Sequence, residues 1–388
     1  MFKKSLAAVA ILGAFAGSAV AADVTLYGLA DLGLNYLHYD ADNGTSASDD
    51  FTMRAGQNSG SRFGLKGTED LGNGLKVGFV LENGFDADTG SLTTAGKIFD
   101  REAQAYLEGA FGRISMGRVG QLASMNGTYG ILGVASPFSS GWGQTIGPKH
   151  VMATGLTRFD NTVTYVTPDF AGFKVHAQYS FQNTASTDEP EGKSGTNRYY
   201  GIGATYNAGP LALVGVVDSI NYKGSDIDKA KKLDDDSLSV TLGGSYDFEV
   251  VKVYALGQYF DNAKGAGNFK GLTDSFTETV SGKDVTYARG VEGWGLSLGV
   301  SAPAFGGTAR AQMGYMDAED VATATGAEGK DSLKRYMIGV GYDYNLSKRT
   351  TVYTAASYMK DKFEYGKANT DSTKPQAYEL FAGMIHRF

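Results

Sequence analysis

A chain of 388 residues with a formal net charge of −7 and no cysteine excludes several classes at once. An acidic balance argues against a nucleic-acid partner, and without thiols neither disulfides nor cysteine chemistry holds the chain together. Glycine is abundant at 54 residues, yet nowhere does the composition shift as it would at a linker between domains.

The N-terminus reads MFKKSLAAVAILGAFAGSAVAAD. Lys3 and Lys4 precede an apolar run from Leu6 to Phe15, and the small residues Ala19, Val20 and Ala21 follow. This is the pattern of a secretory signal peptide with an A-x-A cleavage site. The apolar core is too short to span a bilayer comfortably. Residues 1–21 are therefore expected to be a cleaved leader, and residues 22–388 the mature domain.

From Val24 onward one texture repeats. In VTLYGLADLGLNY, Val24, Leu26, Ala30, Leu32 and Leu34 share a face with Gly28, while Thr25, Tyr27, Asp31 and Asn35 share the other. That is period two, the mark of a β-strand. RFGLKGTE, LKVGFVLEN, EAQAYLEG, RISMGR and RFDNTVTYV continue the pattern, which recurs through LSVTLGGSYDF and RYMIGVGYDYN to the last segment, ELFAGMIHRF. Sixteen such segments are predicted.

The connections alternate in length. EDLGNG, GAFG, TPDFAG, NAGP, DFEV, APAFGG and NLSKRT are short, whereas HYDADNGTSASDDFTMRAGQNSG and KGSDIDKAKKLDDD are long and polar. An even strand number with short turns at one end and long loops at the other predicts a 16-stranded antiparallel transmembrane β-barrel. Closure is required, because an unpaired strand edge cannot sit in lipid. Tyr36, Tyr179, Tyr222, Tyr246, Tyr259, Tyr344 and Phe388 fall near strand ends, as interfacial girdles would. A terminal phenylalanine on an alternating strand is similar to the assembly signal of bacterial outer-membrane proteins.

Five landmarks in order, SRFGLKGTEDLGNGLKVGFVLE, AFGRISMGR, FDNTVTYVTPDFAGF, YNLSKRTTVYTAASY and the terminal HRF, make the chain resemble a Gram-negative general-diffusion porin of the β-proteobacterial and neisserial type. The resemblance covers the whole mature chain. It implies a homotrimer in the cell outer membrane, with one pore per subunit and a third long loop folded into the barrel. It further implies passive passage of small hydrophilic solutes and ions, with outer-membrane lipid and lipopolysaccharide as surroundings.

The third long connection, Val119 to Thr157, is irregular, and so long an irregular loop is uncommon unless it does something. It contains no Asp or Glu and a single cation, Lys149, while Ile131, Leu132, Phe138 and Trp142 favour burial against something. A sixteen-stranded barrel leaves a wide aqueous lumen, and a loop inside it would supply a constriction.

Alternation assigns the charges near that loop. Phe63 and Leu65 outward turn Arg62 and Lys66 inward; Val77, Phe79 and Leu81 outward leave Glu82 in the lumen; Val163 and Tyr165 outward place Arg158 and Asp160 inside. The resemblance implies a cluster of constriction arginines with a nearby glutamate, at Arg62, Arg101 and Arg158 with Glu82. Simple alternation from Ala103, Ala105 and Leu107 puts Arg101 on the lipid side, so it reaches the pore only if a bulge or the loop edge resets the register. Cations outnumbering Glu82 and Asp160 predict a modest anion preference, blunted by Glu102.

Other chemistry finds little support. His38, His150, His176 and His386 lack metal-ligand spacing, and neither G-x-S-x-G nor H-E-x-x-H occurs. No enzyme activity, cofactor or metal is expected. The alternative to a channel is a surface adhesin or receptor barrel with a closed lumen, its long loops carrying recognition.

Overall fold

The computed structural model describes residues 23–153, 157–182, 191, 196–222, 236–264, 275–280, 283–288, 290–321, 330–364 and 372–388. The expected leader, residues 1–21, lies outside them, as does the polar connection 223–235.

Twenty strands are assigned among the described residues. The first eight are β1 (Asp23–Asp40), β2 (Ser48–Ala55), β3 (Arg62–Gly72), β4 (Leu75–Gly84), β5 (Glu102–Gly109), β6 (Gly112–Gly120), β7 (Arg158–Val166) and β8 (Phe173–Ser180). Then come β9 (Arg198–Ala208), β10 (Leu211–Asn221), β11 (Leu238–Asp247), β12 (Lys252–Ala263), β13 (Ser275–Val280) and β14 (Lys283–Ala288). The last are β15 (Val291–Ala304), β16 (Gly307–Asp320), β17 (Ser332–Asn345), β18 (Thr350–Glu364), β19 (Ser372–Thr373) and β20 (Gln376–Arg387).

They form sixteen staves. β2 and β3 pair with the two halves of β1 and are one interrupted stave. The two-residue β19 joins β20 on the edge of β18. β13 and β14 pair only with each other, as a separate hairpin. Two features differ from the sequence reading: β2 lies inside what was predicted to be a long loop, and the β13–β14 hairpin is additional. Neither alters the stave count, because both are built within long connections.

Every ladder is antiparallel, and β1 closes the cylinder on β20 from Leu29↔Arg387 to Asp40↔Gln376. The short turns have the chemistry hairpins demand. Asn73 and Gly74 link β3 to β4 with φ of 54° and 77°, the doubly positive pair of a type I′ turn.

Outward residues are apolar and exposed, among them Leu213, Leu242, Leu298, Ile338 and Leu380. Aromatic rings run along the outer surface in register: Tyr179 beside Tyr200, Trp294 beside Tyr315, Tyr315 beside Tyr336, and Tyr358 beside Tyr378, with centroids 4.8–5.2 Å apart. Tyr222 is half-buried, with the Lys264 ammonium over its ring 4.9 Å from the centroid.

Inward, the barrel is filled by residues of the β6–β7 connection. Leu122, Leu132, Phe138 and Ile146 are fully buried, and each contributes about 1.5–3 kcal/mol through that burial. Leu122, Leu132 and Ala135 pack on Val214, Val216 and Leu256. Val151 packs on Phe260, Met316 and Leu333. Phe138, Trp142 and Ile146 pack on Leu29, Tyr353 and Phe381.

Wall glycines make room for this. A Cβ on Gly299 would lie 2.6 Å from the ring of Pro137, and one on Gly341 2.7 Å from Phe138. Both distances are too short for a side chain, so part of the high glycine content serves to seat the loop against the wall.

Candidate functional site

The loop is held by polar anchors spread around the inner wall. Gln121 Nε2 donates to Asp218 on β10 at 2.6 Å, and Ala153 N donates to Gln258 on β12 at 2.9 Å. Arg310 on β16 donates to the Pro137 carbonyl at 2.8 Å, and Arg335 on β17 to that of His150 at 3.2 Å. Arg335 is itself held by both Asp361 oxygens at 2.7 Å. On β20, the Glu379 carboxylate accepts from the backbone N–H of Gln144 at 2.8 Å, the N–H of Thr145 at 3.0 Å and the Thr145 hydroxyl at 2.8 Å.

Lys149 donates to the Gly143 carbonyl at 2.7 Å. Burial lowers its pKa to about 8, against the pull of Glu379. None of these anchors falls on β3 or β4. The loop therefore faces β3, β4 and the adjoining ends of β5–β7 across the lumen. The described loop residues that remain exposed, Gly127, Thr128, Gly133, Ser139 and Thr157, carry no charge.

The uncovered wall is charged. Glu82 on β4 accepts from Arg101 Nε at 2.7 Å and from the Tyr27 hydroxyl at 3.1 Å, with Arg62 Nε 3.9 Å away. Arg62 also donates to the Ser59 hydroxyl at 3.1 Å. Asp160 accepts from Arg118 at 2.5 Å and Lys97 at 2.9 Å. Asp100 accepts from Gly84 N at 2.7 Å and the Thr94 hydroxyl at 3.0 Å. Glu102 accepts from Thr128 N on the loop at 3.2 Å. Arg158 has no ion pair among the described residues, and its buried Nε has no hydrogen-bond partner. Five cations (Arg62, Lys97, Arg101, Arg118, Arg158) therefore face four carboxylates.

The structure gathers Arg62, Glu82, Arg101, Arg158 and Asp160 into this cluster. Arg101 reaches the lumen because it and Glu102 both stand opposite Glu82, Arg101 through its backbone N–H on the Glu82 carbonyl at 3.2 Å, a doubling at the loop edge that breaks the alternation. Lys66 is set apart. It lies four residues along β3 from Arg62, about 13 Å at the rise of a strand, and its ammonium sits over Tyr27, 5.2 Å from the ring centroid.

Arg118, Lys97 and Asp100 were missed by sequence reasoning. Ile114 and Met116 face outward, and parity would send Arg118 after them. A register shift between Gly117 and Val119 turns it inward, with Gly117 at φ 136°. The glycine inside a strand pattern was the available signal. Lys97 and Asp100 lie in a connection, where periodicity says nothing.

Comparison with known proteins agrees with this geometry. Residues 7–364 match the Gram-negative porin family model. The chain is 34% identical to an outer membrane porin protein of Bordetella pertussis, with all of both chains covered. It is 31% identical to outer membrane porin protein 32 of Delftia acidovorans, over 99% of this chain and 95% of that one. Among solved structures it is similar to an anion-selective porin from Comamonas acidovorans, at TM-score 0.66 and 28% identity, covering 95% of this chain and all of the other. A closed sixteen-stave barrel, narrowed by its own third long loop and matched along its length by such relatives, belongs to the Gram-negative porin family.

Proposed function

We propose that this outer-membrane porin prefers anions modestly, and that the preference is set at the aperture. The carrying observation is the cation excess on the uncovered wall, with Arg158 in no ion pair among the described residues. Charges on the outer loops lie in salt solution, where a Debye length of about 8 Å screens them. A permeating ion responds to charges at the narrowest point, where low-dielectric walls focus the field. The loop opposes that wall with an uncharged rim. The related Comamonas structure carries the description anion-selective, in line with this reading.

In planar bilayers under a KCl gradient, the reversal potential is expected to report anion preference. Arg62→Gln with Arg158→Gln should move it toward cations. A cation-preferring wild type, or a double variant with unchanged selectivity, would overturn the assignment.

The same reading includes assembly and export. The barrel works as a homotrimer among outer-membrane lipid and lipopolysaccharide, passing small hydrophilic solutes without catalysis. The smooth apolar faces of β1 and β20 suit contact between subunits. Residues 1–21 are removed during export. Unheated detergent extracts should run as trimer, and N-terminal sequencing should start at Ala22; monomer on gels and by cross-linking would refute the first point.

A further inference from the structure

Beyond the aperture, a second group of cations lines the lumen at the short-turn end. Arg387 on β20 and Arg62 on β3 both pair with Leu29 of β1, from opposite sides. They are two strand spacings apart, about 10 Å. Arg387 takes the inward parity of Glu379 and Phe381; among the described residues it has no ion pair, its Nη1 donates to the Thr351 hydroxyl at 3.3 Å, and the buried Asp31 carboxylate lies within its electrostatic reach. Its backbone N–H bonds the Arg349 carbonyl at 2.8 Å, which brings the Ser347–Arg349 turn alongside. Lys348 of that turn is exposed and has no ion pair among the described residues.

These two cations, with Arg310, line a recess of about 530 Å³ that also takes in Asn58, Asn345 and Asp343. Arg310 is neutralised by Asp343 at 2.6 Å and lies over the Trp142 ring of the loop, 5.6 Å from its centroid. Among its lining residues the recess holds an excess of two positive charges, with amide side chains able to donate hydrogen bonds; the buried Asp31, which accepts from Asn58 N at 2.9 Å, lies behind this lining. At its other edge Asn58 adjoins Ser59, the hydroxyl that accepts from Arg62 of the aperture cluster. An anion leaving the aperture at Arg62 finds its next cations there.

We propose that this recess is a second anion subsite, at the periplasmic mouth, which takes small multivalent oxyanions (phosphate or carboxylate) through Arg387 and Lys348. A divalent oxyanion meets both cations at once, whereas chloride meets one at a time; the subsite thus sorts anions by valence where the aperture sorts ions by sign. The inference rests on the anion preference proposed above and goes beyond it.

Inorganic pyrophosphate serves as the probe, added to single channels of the assembled protein in dilute KCl. Wild-type protein should show partial block. Lys348→Glu, in an exposed turn, and Arg387→Gln should each weaken that block roughly five-fold, an effect that concentrated KCl abolishes by screening. The reversal potential in a plain KCl gradient should stay near wild type, because Arg62, Arg101, Arg118 and Arg158 are intact. Equal block in wild type and both variants overturns the subsite. So does a reversal potential that moves as far as in the Arg62→Gln, Arg158→Gln protein, which would make the recess part of the aperture field. A cation-preferring wild type, read without pyrophosphate, would instead refute the selectivity reading itself.

Discussion

Arg118 on β6 donates to Asp160 on β7 across 2.5 Å, and Lys97 holds the other oxygen of the same carboxylate at 2.9 Å. One acid thus quiets two cations of the wall cluster. Asp160→Asn removes the negative charge and keeps the shape, leaving Arg118 and Lys97 uncompensated. The expected outcome is a stronger anion preference, read as a further shift of the reversal potential in dilute salt. An unchanged potential would show that Asp160 contributes nothing to the field an ion crosses.

Glu379 is the strongest single tether of the loop, accepting from two backbone N–H groups and a hydroxyl of Gln144 and Thr145. Asn35 adds a fourth donor at 2.5 Å. Hydrogen bonds to a charged acceptor contribute about 1.5–3 kcal/mol each, and their loss leaves buried donors unsatisfied. Glu379→Ala should free the middle of the loop while β20 still forms. Single-channel traces should become noisier and the open current larger; traces as quiet as wild type would place the tether elsewhere.

His150 is expected to give the loop an acid sensitivity. Its ring is buried, and neither nitrogen has a hydrogen-bond partner among the described residues. Burial holds its pKa well below the ordinary imidazole value, with Lys149 and Arg335 adding to the effect. Of the groups around it, Arg335 is paired with Asp361, while Lys149 bonds a carbonyl and is drawn toward Glu379. In the unfolded chain the imidazole titrates near about 6.5. Below that pH the unfolded state binds the proton and the folded state does not, so stability falls with falling pH by up to about 1.4 kcal/mol per unit. His150→Leu should flatten this dependence between neutral pH and about pH 5, measured as the thermal midpoint in detergent. Parallel profiles for both proteins would eliminate His150 as the source.

Phe388 completes the seam. Its N–H and C=O exchange hydrogen bonds with Gly28 at 3.1 Å in both directions, the terminal rung between the last strand and the first. Deleting Phe388 removes that rung and the aromatic that ends the strand. Outer-membrane abundance should fall several-fold on immunoblots of fractionated cells, and normal abundance would show that the remaining β1–β20 ladder suffices.

What the sequence determined by itself is whatever depends on local period and length. Period two places each stave and most of its faces, so Arg62, Glu82, Arg158 and Asp160 are legible from their outward neighbours. The alternation of short and long connections dictates an up-and-down cylinder. The length, neutrality and apolar content of Val119 to Thr157 mark that segment as one with somewhere to bury itself. What only the tertiary structure decided is the balance of charge in the wall cluster. Parity holds only within an unbroken ladder; it fails at the Gly117–Val119 shift, which turns Arg118 inward, and at the start of β5, where Arg101 and Glu102 both lie opposite Glu82. It is silent on Lys97, which meets Asp160 across 63 positions of chain because closure brings their segments together. Ion pairing depends on distances that closure and loop seating set, and no local pattern encodes those.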